Sequence, residues 1–540
     1  MKKLSLLLAL VLLMTMFVSA CNNGDKDGSA NSPGQPSQGS SANEKHLIIA
    51  VDPDYESFDP AIAYEVYAHL VLHSCYNTLF EFEKTLDNMV LASGTEYSVS
   101  DDGLVYTFKL REDMVFASGN PVTSADVKWS FERSINLKGN GAFMTDDIVA
   151  LEAPDDYTFI VKLGNPDPSF PTKLTYNIFC IVDSQVAMQH GATNAEDAAT
   201  TDTAKTWFDS NSAGSGPYCI DSYTPKVEVV LVKNANYWGQ EPFYDKITIK
   251  SIPDANTQVM MLQRGDVDIA INVDPEQAKT LVNTPGIAVK NAQSLTMSFL
   301  LMNRDPSVGG PIADSRVQRA IRLALDYQGI QTIAGAGMAT PLAPFPVGLF
   351  GSLPARDVSG FQDVAAAKAL MAEAGYADGF TTDFYVPTSI ISGVELVTMA
   401  QKIQSDLNAI GITTTIIPED VLISLETYRT GQQSLGLWYW NPDYPDNNSQ
   451  LAFLPGQKVG LRANWTAEMY PALAALGDRA AVETNVTERG RMFGEIQNMM
   501  AEESAFTMLL QHTSPYAVRD TLKNADYIGQ YVFILKDIAE

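Results

Sequence analysis

The chain is poor in the residues that build most catalytic and metal centres. Its 540 residues include only four cysteines and five histidines. No Cys-x-x-Cys pair occurs, which excludes a zinc ribbon. There is no Gly-x-Ser-x-Gly nucleophile turn, no His-Glu-x-x-His helix, no P-loop and no Gly-x-Gly-x-x-Gly turn. Gly335-Ala336-Gly337 lacks a third glycine and runs into a proline-rich segment. Positive charge is also scarce. Lys and Arg number 36 against 64 Asp and Glu, a net charge of −28. Such a surface repels nucleic acid and gains nothing from anionic lipid. Beyond the first twenty residues no apolar run approaches the ~20 residues of a membrane span. No repeat of 20–50 residues is visible.

What is present begins with Lys2 and Lys3, followed by an uncharged, mostly apolar stretch from Leu4 to Val18. That stretch falls short of the ~20 residues of a spanning helix, and a basic start before a short apolar run reads as a signal peptide over residues 1–20. Val18-Ser19-Ala20-Cys21 resembles a bacterial lipobox. The resemblance implies a lipid thioether on Cys21, cleavage before it, and a protein held by acyl chains on the outer face of the cell membrane. Cleavage removes two lysines and takes the net charge from −28 to −30. The next segment, 21–45, is rich in Gly, Ser, Asn and Pro and has almost no large apolar residues. It reads as a flexible tether. The remainder is too long for one hydrophobic core, so two or three domains are expected.

Folded sequence begins at His46, with Leu47–Val51 as a short apolar strand. The most structured signal is Val99 to Glu132. Asp101-Asp102-Gly103 is a hairpin turn, because glycine tolerates the positive φ required there. Leu104, Tyr106, Phe108 and Leu110 alternate with polar residues along the next strand. Pro121-Val122-Thr123-Ser124 then opens a helix, with Thr123 or Ser124 as its cap. Further on, Gly265 reads as a left-handed helix C-cap. Val364–Glu373 and Glu395–Ala409 have helical periodicity, while Phe384–Val386 and Thr413–Ile417 read as strands. Alternating strands and helices predict an α/β fold.

The segment from Asp101 to Glu132 resembles the signature of the peptide/nickel class (family 5) of ABC-transporter substrate-binding proteins. The resemblance runs on through Gly214–Tyr218, Lys233–Gly239, Asp245–Asp254, Met261–Ile269 and Met302–Ile321. Gln318 and Ile312 stand where the pattern has Arg and Phe. The resemblance implies a two-lobed, periplasmic-binding-protein-like α/β fold of type II, the large oligopeptide-binding class. The first lobe is expected over 46–285, with an extra subdomain at about 85–190. The second is expected over 286–508, and 509–540 return to the first. The implied function is capture of a di- or oligopeptide in the cleft and delivery to an ABC permease and its ATPase, by a monomer without cofactor or catalysis. Oligosaccharide and nickel-complex ligands remain alternatives within the class. A surface-anchored hydrolase and a sensory lipoprotein are the rivals outside it.

The expected ligand site lies in Leu435–Leu454, a strand of apolar and aromatic residues entering a Pro/Asp/Asn loop. The resemblance puts Asp443 where peptide-binding relatives pair a carboxylate with the ligand's α-ammonium. The plain alternative is that Asp443 caps a turn between Pro442 and Pro445; Asp446 reads as turn-forming. Alternation sends Trp438 and Trp440 to one face and Tyr439 to the other, one face being core and the other bordering a cleft. Arg462, Asn464 and Trp465 fall where relatives complete the pocket, and Arg462 suits a carboxylate. The aromatic residues also suit sugar rings. His69 and His73, four apart on a helix, have metal-ligand spacing but no convincing third ligand, and read as packing residues. Cys75, Cys180 and Cys219 permit one disulfide or none.

Overall fold

A computed structural model describes residues 44–540, apart from Asp54, Asp87, Ala336 and Gln530. The expected signal peptide, Cys21 and nearly all of the tether lie outside the described residues. Residues 44–540 form one unit. Among the described residues no helix is long and apolar enough to cross a membrane.

The apolar run after His46 is a strand, His46–Val51, with Leu47, Ile49 and Val51 fully buried. It sits inside a ten-stranded sheet. From one edge the order is Ile412–Glu419, Phe380–Pro387, Leu435–Trp440, Ile287–Met302, Phe506–Arg519, Ile269–Ala270, His46–Val51, Lys246–Ser251, Glu228–Lys233 and Tyr218–Thr224. Phe380–Pro387 runs parallel to both its neighbours, as does His46–Val51.

Two long antiparallel strands, Ile287–Met302 and Phe506–Arg519, carry the sheet across the molecule. Their register runs evenly from Ile287↔Arg519 to Gln293↔Thr513, breaks, and resumes at Met297↔Gln511. The hydrophobic cores divide at this break. Ala292, Tyr516 and Val518 pack with Ile49 and Ile249. Leu300, Met302, Leu509 and Leu510 pack with Phe384, Val386, Ile403 and Leu437. On the opposite sheet face, Met297, Phe299, Phe506 and Met508 pack with Trp438 and Trp465.

A separate four-stranded antiparallel sheet has the order Gly94–Val99, Val105–Leu110, Thr158–Leu163, Ile148–Asp155. Gly103 makes the turn between the first two strands with φ +72°. Helix Ser124–Leu137 begins at a capping box, in which Asp126 reaches back to Thr123. Its Val127 and Phe131 bury against Phe108, Phe159 and Val161. Tyr444, from the loop that follows Leu435–Trp440, enters this same core. That loop therefore ties the small sheet to the far half of the large one.

Candidate functional site

The strand Leu435–Trp440 stops short of Asn441-Pro442, and Pro442 cannot donate to the ladder. Its aromatic triplet divides as a strand must. Trp438 and Trp440 share one face, while Tyr439 packs on the core around Phe384. The Trp438 ring stacks on Tyr428 at 4.2 Å, and its Nε1 donates to Gln433 at 2.7 Å. Trp440 lies edge-on to Phe453 at 5.3 Å. Its Nε1 is buried without a hydrogen-bond partner among the described residues.

Asp443 stands on the loop beyond this strand. The Tyr64 hydroxyl donates to its Oδ1 at 2.5 Å. Tyr64 precedes helix Val66–Cys75, and its backbone carbonyl accepts from the Tyr176 hydroxyl at 3.1 Å. Burial, and then the Asp443 charge, push the Tyr64 phenol well above its ordinary range. The phenol is therefore a permanent donor, and Asp443 Oδ2 is left for another partner.

Arg462 is only 7% exposed. Its guanidinium lies 4.7 Å from the centre of the Tyr428 ring and 6.0 Å from that of Trp440. It takes part in none of the ion pairs among the described residues. Asp443, Arg462 and the aromatic triplet line one cavity of about 470 Å³. Tyr64, Asn140 and Phe143 close it on one side. Val421, Leu425, Tyr428 and Arg429, from helix Val421–Arg429, line it together with Lys458. A second cavity of about 360 Å³ adjoins it, sharing Phe143, Trp440, Asp443 and Lys458.

Two of the expected site residues do not line either cavity. Asn464 has φ +50°, and its Nδ2 donates to the Gly431 carbonyl at 2.9 Å and to Asn303 Oδ1 at 3.0 Å. Trp465 is fully buried against Tyr470 and Phe506. Both brace the wall behind Arg462. Asp446 caps the turn Asn447–Phe453 and also pairs with Arg489 at 2.5 Å in the interior. Sequence reading did not find Tyr64, Phe143, Tyr428, Arg429 or Lys458. Tyr64 and Phe143 come from distant segments, while Tyr428, Arg429 and Lys458 flank the marked segments with no local pattern of their own.

His69 and His73 lie elsewhere, buried edge-on to Tyr176 and stacked on Tyr531 respectively. The void beside them is about 10 Å³, too small for a solute. Among the described residues no group of three or more His, Cys, Asp or Glu is arranged to hold a metal ion. Burial opposes ionisation of Glu81, but His73, 3.7 Å away, and the Lys536 charge lower its carboxyl to about 2. Cys75, Cys180 and Cys219 are free thiols.

The sequence matches the family described as bacterial extracellular solute-binding proteins, family 5 (middle region), over residues 88–459. The probable D,D-dipeptide-binding periplasmic protein DdpA of Escherichia coli K12 is 25% identical over 486 residues, covering 88% of this chain and 90% of that protein. Heme-binding protein A of Haemophilus influenzae is 24% identical over 513 residues, covering 89% of each. The structure of HbpA2 from Haemophilus parasuis superposes with a TM-score of 0.80 at 21% identity, covering 92% of this chain and 99% of that one. The chain belongs to the bacterial extracellular solute-binding proteins of family 5, binding proteins rather than enzymes, and has their two-lobed α/β fold.

Proposed function

We propose that this protein captures a short peptide between its two lobes and hands it to an ABC permease. The observation that carries this reading is one cavity bearing a carboxylate, Asp443, and a buried unpaired guanidinium, Arg462, between aromatic walls. A peptide offers the complementary pair: an α-ammonium for Asp443 Oδ2 and a carboxylate for the planar fork of Arg462. Ion pairs shielded from water by closure are far stronger than surface pairs. Trp438, Tyr439 and Trp440 supply apolar contact that does not discriminate among side chains. The dipeptide-binding relative from Escherichia coli supports a peptide, while the heme-binding relative means that family membership alone does not choose the ligand.

In this reading residues 46–285 and most of 509–540 make one lobe and most of 286–508 the other, the boundary crossing both long strands, with about 85–190 as an added subdomain. The lobes hinge on the two long strands, at the register break between Gln293 and Met297. A lipid on Cys21 and the tether over 21–45 hold the protein beside its permease.

The test is a thermal-shift screen of the parent protein, Asp443→Asn and Arg462→Gln with peptides, oligosaccharides, nickel and heme. A ligand at ~100 times its Kd adds ~2.7 kcal/mol of stability. Peptides should stabilise the parent and neither variant. Stabilisation by sugar, metal or heme alone would sink the reading.

A further inference from the structure

We infer that the ligand is an acidic peptide, carrying one ammonium and at least two carboxylates. This rests on the proposed peptide reading and concerns the same cavity. Asp and Glu outnumber Lys and Arg by 64 to 36 in the whole chain, yet the balance inverts where the cavity opens. The 470 Å³ cavity is lined by one acid, Asp443, and three bases, Arg429, Lys458 and Arg462. None of the three bases enters an ion pair among the described residues. The adjoining cavity adds one carboxylate, Asp478, and shares Lys458.

The three bases differ in what each implies. Arg462 faces the cavity without a counter-ion, and the faces of Tyr428 and Trp440 offset its charge only in part, so an anion entering the cavity gains from it. Arg429 and Lys458 are exposed at the cavity wall and retain their hydration. Arg429 ends helix Val421–Arg429, where a cation is also favoured by the helix dipole. That local gain accounts for neither Lys458 nor Arg462.

Asp443 is the one carboxylate on the 470 Å³ cavity, and its single charge is neutralised by one ammonium. A zwitterionic peptide then neutralises Asp443 and Arg462 and leaves Arg429 and Lys458 unmatched. A peptide with an acidic side chain satisfies them, whereas a basic one adds repulsion. Field lines from two unpaired cations also draw anions into the cleft, an effect that weakens with salt.

The experiment is calorimetric titration of the intact protein with Ala-Ala, Ala-Glu and Ala-Lys, and with Ala-Ala-Ala, Ala-Glu-Glu and Ala-Lys-Lys. The same peptides are titrated into the double variant Arg429→Gln, Lys458→Gln. The acidic peptide of each length should bind the parent about tenfold more tightly than the neutral one, and the basic peptide more weakly. The acidic-to-neutral ratio should collapse toward one in the double variant. In the parent, added salt should weaken the acidic peptide more steeply than the neutral one. Equal affinity for acidic and neutral peptides, or a ratio that survives in the double variant, overturns the inference and leaves the peptide reading standing. Failure of every peptide to bind overturns both.

Discussion

The Tyr64 hydroxyl donates to Asp443 Oδ1 at 2.5 Å, joining a residue just before helix Val66–Cys75 to a loop 379 positions further along the chain. A hydrogen bond to a charged acceptor is among the stronger polar contacts, and both groups are partly shielded here. Tyr64→Phe, Asp443→Asn and the double variant should give a coupling energy of about 1 kcal/mol in denaturant unfolding. Single losses that add to within about 0.3 kcal/mol would mean that the contact contributes nothing.

The loop carrying Asp443 is anchored three residues later. Asp446 accepts from Arg489 Nη1 at 3.2 Å and Nη2 at 2.5 Å, both side chains being almost fully buried. Breaking such a pair from one side leaves an uncompensated interior charge. Arg489→Ala should therefore lose about 3–5 kcal/mol of stability, measured by urea unfolding. A loss near 1 kcal/mol would show that water reaches the site.

His512 sits on the strand Phe506–Arg519, where its register with Ile287–Met302 breaks. Its Nε2 lies 2.6 Å from the Ser298 hydroxyl, and burial lowers its pKa from 6.5 to about 4. The folded protein thus binds fewer protons here than the unfolded chain between these two values. The stability tied to a neutral His512 is fully present above pH 6.5 and is lost as pH falls toward 4. The loss amounts to about 3 kcal/mol. Unfolding free energies measured from pH 7.5 to 4 should fall less steeply in His512→Gln than in the parent. Parallel curves would refute the assignment.

Trp440 and Trp465 separate cavity lining from support. Trp440 lines both cavities, while Trp465 lines neither and is fully buried. Trp465→Ala should cost about 3–5 kcal/mol of stability through the cavity it creates. Trp440→Ala should instead weaken peptide binding by at least about tenfold, the scale of one lost aromatic contact in a shielded pocket. Titration and unfolding on the same two variants read both effects, and a reversed pattern would exchange the roles.

Local physics is legible in this chain. The Asp-Asp-Gly turn, the alternation through Phe108, the capping box at Thr123 and the αL cap at Gly265 all follow from steric and hydrogen-bonding rules acting within a few residues. Helix Val364–Glu373 and strand Ile412–Glu419 follow from periodicity in the same way. The sorting of Trp438 and Trp440 from Tyr439 needs only the two-residue period of a strand. The family, too, was readable from the resemblance of Asp101–Glu132 and the later segments to its pattern. The site was only half readable. Asp443 and Arg462 fall in marked segments, but Tyr64, Phe143 and Arg429 meet them solely through folding, and Lys458, a chain neighbour of Arg462, carries no local mark. Whether a given Trp faces a cavity or the core was equally hidden, because Trp440 and Trp465 are the same residue in similar loop-flanked settings. Burial depends on what the rest of the chain brings against a side chain, and that is decided by sheet order and lobe packing, interactions that span hundreds of residues and leave no periodic trace along the sequence.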